Sequence, residues 1–316
     1  MKSRIWFMLF GLASTVALLV NKYVLWKLKF TYPTVYQSWQ MSFASVMFFS
    51  AHMFGKMPSK ALNSGIIYPW FPAILLFSTS IYSGSVSLSR LPIPVFLFLQ
   101  QGVLQSMIAL MKCQQQNGPE KLVSLLMNSK KGLLMIVNCF CIVGIIFLMK
   151  TELVFNFKWM LIHCIASCSY SVFAIRHQHL ELQESDKLLV NSIFSIIVLL
   201  TVGMTTGETS VVFEFPFLYH RIFLLACLCS GVFGALLMVS YSKLCSELKI
   251  EKVRFGNTII MLWVSGISFF VFENELTAQL TFLAFFGLCS TCYLCYLIQN
   301  ELQQQSTPIP IKEIVI

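Results

Sequence analysis

Residues 132–149 read GLLMIVNCFCIVGIIFLM, with no charged side chain, between Lys130-Lys131 on one side and Lys150 on the other. Crossing the hydrocarbon core of a bilayer takes a helix of about 20 mostly apolar residues. Nine comparable stretches fill most of the remaining chain, at 4–20, 33–53, 66–85, 92–111, 157–175, 188–206, 219–241, 254–272 and 277–298. The longest gaps, near 112–131 and 176–187, are too small for a separate core. The sequence therefore reads as an all-α polytopic membrane protein. Its ten transmembrane helices form a single transmembrane domain, residues 1–316. Function must lie in what docks inside such a bundle or passes through it.

Composition supports this reading, with 57% hydrophobic and only 11% charged residues, against about 25% charged in soluble domains. A net charge of +9 raises the question of nucleic acid, but its distribution answers it. With the N-terminus cytosolic, fifteen Lys and Arg fall on the cytosolic side and seven opposite. That bias follows the positive-inside rule with both termini cytosolic, so topology accounts for the charge. Lys2 and Arg4 before an apolar run resemble a signal peptide, yet the run continues into Asn21 and Lys22, which makes it an uncleaved signal-anchor. Eleven cysteines, almost all inside spans, read as packing residues. Cys289, Cys292 and Cys295 form a helical stripe without His or carboxylate partners, and neither metal nor cofactor is expected.

All 13 Asp and Glu fall in loops, in the tail or at helix ends. Ion-driven carriers commonly hold a carboxylate at mid-membrane, so its absence favours exchange or facilitated diffusion. The same absence, with no activated Ser–His pair or metal set inside the spans, argues against an intramembrane enzyme.

Basic and amide residues supply the candidate site. Lys22 closes the first span, Arg90 begins the fourth and Arg254 the ninth, while Gln100 and Gln101 sit inside the fourth. Asn191 and Ser192 open the seventh, and Gly256, Asn257 and Thr258 occupy the first turn of the ninth. Cations facing a cavity suit an anionic solute such as a phosphate or diphosphate. Taken singly, Lys22 and Arg90 are equally compatible with snorkelling to the interface. Pro33, Pro69, Pro72, Pro92, Pro94 and Pro216 read as helix-start punctuation. Ser87-Leu88-Ser89-Arg90-Leu91 aligns with Ser246-Glu247-Leu248-Lys249-Ile250, each leading into the fourth span of a five-span half. Two such halves, 1–150 and 151–298, with a cytosolic tail at 299–316, would be inverted repeats with the solute between them.

Asn21-Lys22-Tyr23-Val24-Leu25, then Lys29-Phe30-Thr31-Tyr32-Pro33-Thr34, resembles the first hairpin of nucleotide-sugar transporters. These form solute carrier family 35 of the drug/metabolite transporter superfamily, which includes Golgi GDP-mannose carriers. Leu88-Ser89-Arg90-Leu91, Ile93-Pro94-Val95-Phe96-Leu97 and Phe215-Pro216-Phe217-Leu218-Tyr219 extend the likeness over most of the chain. On the seventh helix GDP-mannose carriers show Phe-Tyr-Asn-Asn, where this chain has Leu189-Val190-Asn191-Ser192, so Asn191 matches. On the ninth they show Gly-Ala-Leu-Asn-Lys against Gly256-Asn257-Thr258-Ile259-Ile260. Gly256 matches, whereas Ile260 replaces the lysine expected to meet phosphate or sugar. The resemblance thus leaves Lys22, Arg90 or Arg254 to balance a diphosphate.

The resemblance implies a multi-pass protein of the Golgi (or ER) membrane that exchanges a nucleotide-sugar for a nucleoside monophosphate. UDP-N-acetylglucosamine against UMP is favoured over GDP-mannose or another nucleotide-sugar. A non-transporting scaffold or chaperone is the alternative that degenerate signatures predict. The implied partners are the nucleotide-sugar, the nucleoside monophosphate and membrane lipids. A homodimer is compatible with the sequence, and nucleic acid is not a partner.

Overall fold

The computed structural model describes residues 2–54, 64–117, 129–149, 154–177, 180, 182–272 and 277–306. Lys56, Lys60, Lys121 and Lys150, counted above for topology, and the end of the tail from 307 onward lie outside these residues. Ten long helices carry the described fold: α1 (Lys2–Lys22), α2 (Pro33–Met53), α3 (Ser64–Arg90), α4 (Ile93–Asn117) and α5 (Lys130–Leu148). They continue with α6 (Val154–Arg176), α7 (Glu184–Thr206), α8 (Arg221–Glu247), α9 (Ile250–Val271) and α10 (Ala278–Ser306).

The chain is an all-helical membrane protein, turned inside out relative to a soluble bundle. Phe147 is 83% exposed and Trp263 66%, while Lys22, Asn191, Ser192 and Thr258 are 0% exposed. Apolar side chains face where lipid would lie, while the interior holds polar side chains beside apolar clusters such as that around Leu97, Phe98 and Leu99.

Several boundaries differ from the apolar runs, for local reasons. α3 continues to Arg90, so Arg90 closes that helix instead of opening the fourth. Pro92 bars the preceding residue from helical geometry, and α4 restarts at Ile93 with Pro94 in its first turn. Pro69 and Pro72, expected at a helix start, lie inside α3 because that helix already begins at Ser64. α9 starts at Ile250, so Arg254 and Gly256 to Thr258 sit beyond its first turn. α7 starts at Glu184, which carries Asn191 about two turns into the helix. α10 runs to Ser306, past the expected end at 298.

Cross-helix contacts fix the directions of the helices. Lys112 near the end of α4 meets Glu251 at the start of α9, and Lys131 at the start of α5 meets Glu301 near the end of α10. At the opposite end of the bundle, Lys22 from the close of α1 reaches the Leu88 and Leu91 carbonyls at the close of α3. There too, Glu208, just after α7, accepts from Thr34 N (3.1 Å) and Thr34 Oγ1 (2.6 Å). A carboxylate at the N-terminus of α2 satisfies the Thr34 amide and interacts favourably with the helix dipole.

The packing partners are matched in pairs. α1 packs on α8 as α6 packs on α3, and the α2–α8 contact is mirrored by α7–α3. α2 lies against α7, α4 against α9 and α5 against α10. Among the described residues nine helices are long and apolar enough to cross a membrane, with α2 falling outside that group. Gln37, Ser38 and Gln40 lower its hydropathy, and all three are buried. They join a polar core in which Tyr36 OH donates to Ser230 Oγ (2.8 Å), Ser230 Oγ to Asn21 Oδ1 (2.8 Å) and Gln40 Nε2 to Asn21 Oδ1 (2.8 Å). Gln37 meets Ser85 of α3 in the same layer. α2 is thus a central helix whose buried Tyr36, Gln37 and Gln40 find partners on α1, α3 and α8.

Candidate solute-binding site

A cavity of about 530 Å³ opens between the ends of α4, α6 and α8 and the starts of α7 and α9. Three cations line it: Lys112, Lys187 and Arg254. Lys112 Nζ donates to Glu251 Oε1 at 2.9 Å and Lys187 Nζ to Glu184 Oε1 at 2.7 Å. Arg254 forms no ion pair among the described residues, and the ionisable Lys, Arg and Glu of the lining carry a net charge of +1. Tyr170 and Tyr241 add aromatic surface with a hydroxyl.

Two helices begin at this cavity. The N-caps of α7 and α9, Gln183 and Lys249, make no side-chain cap hydrogen bond. The N-terminal amides and the positive end of the helix dipole favour anions. Glu184 and Glu251 stand in the first turns of these helices. Cations, helix N-termini and aromatic rings in one space form a chemistry that suits a phosphorylated solute with a planar base.

The residues singled out from sequence do not form one cluster, and Gln100 and Gln101 line neither the large cavity nor the smaller one. Arg254 lines the large cavity. Thr258, one turn on, hydrogen-bonds back to Arg254 O (3.0 Å) and lies 3.6 Å from Cys295 Sγ of α10. Gly256 faces α1, where a methyl group would run into the Phe7 ring. Asn257 beside it is half-buried. Asn191 accepts from Trp70 Nε1 (3.1 Å) and donates to Tyr170 OH (2.9 Å), so it fixes a tyrosine of the cavity wall. Ser192 donates to Leu188 O (2.6 Å) inside its own helix. Lys22 and Arg90 sit at the opposite end of the bundle. A smaller cavity of about 240 Å³ there is lined by Arg90, Glu208, Tyr82 and Ser85.

The placement of Lys22 gives it structural work. Its Nζ is fully buried and donates to Leu91 O (3.0 Å) and Leu88 O (3.2 Å), carbonyls at the end of α3, with the Trp26 ring centroid 5.2 Å away. Lys22→Met keeps the bulk but removes the donors, so both carbonyls lose a partner. A destabilisation of about 1–3 kcal/mol is expected, read as a lower melting temperature of the purified protein. An unchanged melting temperature with lost solute exchange would instead place Lys22 on the solute.

Sequence reading missed Lys112, Lys187, Glu184, Glu251 and the two tyrosines. The lysines count equally well toward cytosolic loop charge, and only the fold turns them inward. Nothing local sets them apart from loop charges: Lys112 finds Glu251 139 residues away, and the Glu184–Lys187 spacing is that of an ordinary solvated helix face.

No family model matches the chain. Curated relatives do. The UDP-N-acetylglucosamine transporter TMEM241 homolog of Xenopus laevis is 30% identical over 282 residues, covering 87% of this chain and 90% of that protein. The UDP-N-acetylglucosamine transporter TMEM241 of Mus musculus is 30% identical over 262 residues, 82% of this chain and 84% of the relative. The likeness runs through nearly the whole helical bundle, and with it the chain belongs to the TMEM241 family of nucleotide-sugar transporters.

Proposed function

We propose that the chain is an antiporter of the Golgi membrane exchanging UDP-N-acetylglucosamine for UMP. The observation that carries this reading is the large cavity, in which Arg254, Lys112 and Lys187 meet the starts of α7 and α9. Its volume of about 530 Å³ lies in the range of small-molecule sites, about 300–1,000 Å³. The sugar nucleotide is taken from the names of the two relatives. In this reading Arg254 answers the diphosphate, Tyr170, held by Asn191, offers a face to the base, and Asn257 and Thr258 border the solute path. Lys22, Arg90, Ser192 and Gly256 serve the scaffold on which the two ends open in turn.

The bundle crosses the membrane ten times, α2 included, as two inverted halves, α1–α5 within 1–150 and α6–α10 from 151 onward. The paired packing of α1 on α8 with α6 on α3, and of α2 on α7, supports that symmetry. Both termini then face the cytosol, at the same end as the large cavity.

One feature favours a second reading, a non-transporting scaffold. Position 260, where GDP-mannose carriers hold their lysine, is an isoleucine whose side chain packs against Gly11 of α1. Purified protein in liposomes, loaded with UMP and offered a panel of labelled nucleotide-sugars, separates the two. UMP-dependent uptake of UDP-N-acetylglucosamine is the expected result. Uptake of GDP-mannose alone would overturn the substrate, and uptake of none would favour the scaffold.

A further inference from the structure

Resting on the reading of the large cavity as the nucleotide site, the geometry points to a deeper role for its acidic residues. We infer that Glu251 and Glu184 are internal stand-ins for phosphate, neutralising the cavity lysines until an anionic phosphoryl group displaces them. Each carboxylate sits in the first turn of a helix whose N-cap supplies no side-chain hydrogen bond. That is where an external anion would bind most favourably. Each also holds a lysine of the same cavity, Lys112 at 2.9 Å and Lys187 at 2.7 Å. The pairs are neither sealed nor fully solvated: the side chains are 26% and 21% exposed for Lys112 and Glu251, and 12% and 32% for Lys187 and Glu184. A phosphoryl oxygen entering the cavity can therefore reach the same lysine from the solvent side.

Arg254, three residues beyond Glu251 and outside both pairs, provides the first attraction for the incoming ligand. A diphosphate ester carries two anionic phosphoryl groups, so Arg254 alone does not match it. Recruiting Lys112 completes the match, and doing so breaks the Lys112–Glu251 tie between α4 and α9. The substrate then links α4 and α9 in place of the carboxylate, while the freed carboxylate restores the pair when the substrate leaves. Affinity is held down by this internal competition, and release follows from it. Binding that is equally tight at every stage does not speed turnover.

The test is counter-intuitive, because removing a negative charge from one wall should tighten binding. Binding of UMP and of inorganic pyrophosphate to the purified full-length protein is measured by calorimetry, alongside exchange in liposomes. E251Q and E184Q should each bind UMP and pyrophosphate about three- to tenfold more tightly, as expected when a competing ion pair of modest strength is removed. E251Q should also exchange UDP-N-acetylglucosamine more slowly at saturation, because the released lysine holds the cargo. K112Q should weaken binding, and K112Q combined with E251Q should bind no more tightly than K112Q alone. E184Q guards against misfolding, since its pair lies within α7 and ties no two helices together. Wild-type binding and exchange together with unchanged or weaker binding in both glutamine variants would overturn this inference alone. Wild-type protein that binds neither UMP nor pyrophosphate would overturn it together with the assignment of the cavity.

Discussion

Arg254→Ala should reduce exchange of UDP-N-acetylglucosamine for UMP by tenfold or more while the protein still folds. Arg254 lines the large cavity and forms no ion pair among the described residues, so its removal leaves no protein carboxylate stranded. The loss falls on the ligand. A hydrogen bond to a charged group contributes about 1.5–3 kcal/mol, and every 1.4 kcal/mol is about tenfold in affinity. Arg254→Lys should recover only part of the loss, because an ammonium presents a point charge where a guanidinium offers a planar fork. The measurement is initial exchange rate against UMP concentration in liposomes, with the melting temperature as control. Unchanged exchange in Arg254→Ala would remove this residue from the site.

Gly287→Ala should produce the largest loss of stability among the helix-contact glycines. Gly287 lies on α10 directly against the ring of Phe98 on α4, and an added methyl would overlap three ring atoms. Phe98 is 0% exposed, flanked by Leu97 and Leu99 at 0% and 1%, and Leu288 opposite is also at 0%. The ring has nowhere to go. On its own side the Phe98 ring is already close to Gly102, where a Cβ would lie 2.9 Å from it. Alanine is a better helix former than glycine by about 1 kcal/mol. Overpacking a closed core costs about 1–3 kcal/mol, so packing outweighs propensity and the net effect is destabilising. Gly256 gives the contrasting case. Its methyl would meet Phe7, but that ring is only half-buried and can swing outward. Gly256→Ala should therefore sit close to wild type, with propensity and overlap nearly cancelling. Thermal unfolding in detergent distinguishes the two, and Phe98→Leu in the Gly287→Ala background should restore much of the loss. A Gly287→Ala protein that melts with wild type would mean the α4–α10 approach is looser than this geometry.

The positions of the long helices were legible because a bilayer imposes a common length and an apolar surface on its spans. Among the described residues nine of the ten, α2 excepted, are long and apolar enough to cross. The ten apolar runs correspond to α1 through α10. Their ends were less legible, because charged and amphipathic residues continue a helix after its apolar run stops. That is how Arg90 came to close α3 and Glu184 to open α7. The candidate site was legible in type and only partly in place. Cations and amides at span ends were visible, but a sequence does not say which way a span end faces. Lys22 turned to carbonyls of α3, Gly256 to the Phe7 ring and Arg254 to the cavity. Lys112 and Lys187 carried no local mark that separates an inward lysine from a loop charge. Glu208 was hidden for the opposite reason: its carboxylate answers a helix start 174 residues earlier in the chain.

The polar core around α2 also dictates an order of assembly during synthesis. α2 is the described long helix that lacks the apolarity to cross a membrane unaided. Its amide and phenol groups find Asn21 on the helix made just before it, through Tyr36 and Gln40. Their other partner, Ser230, lies on a helix that emerges from the ribosome nearly two hundred residues later. Until then α2 has the Asn21 layer of α1 to pair with but lacks Ser230. Tyr36 and Gln40 gain their second partner only when α8 arrives. The second helix of the chain is thus among the last to gain all of its partners. Nascent chains that stop short of α8 should be recognised as unfinished at α2 and not at their own broken end.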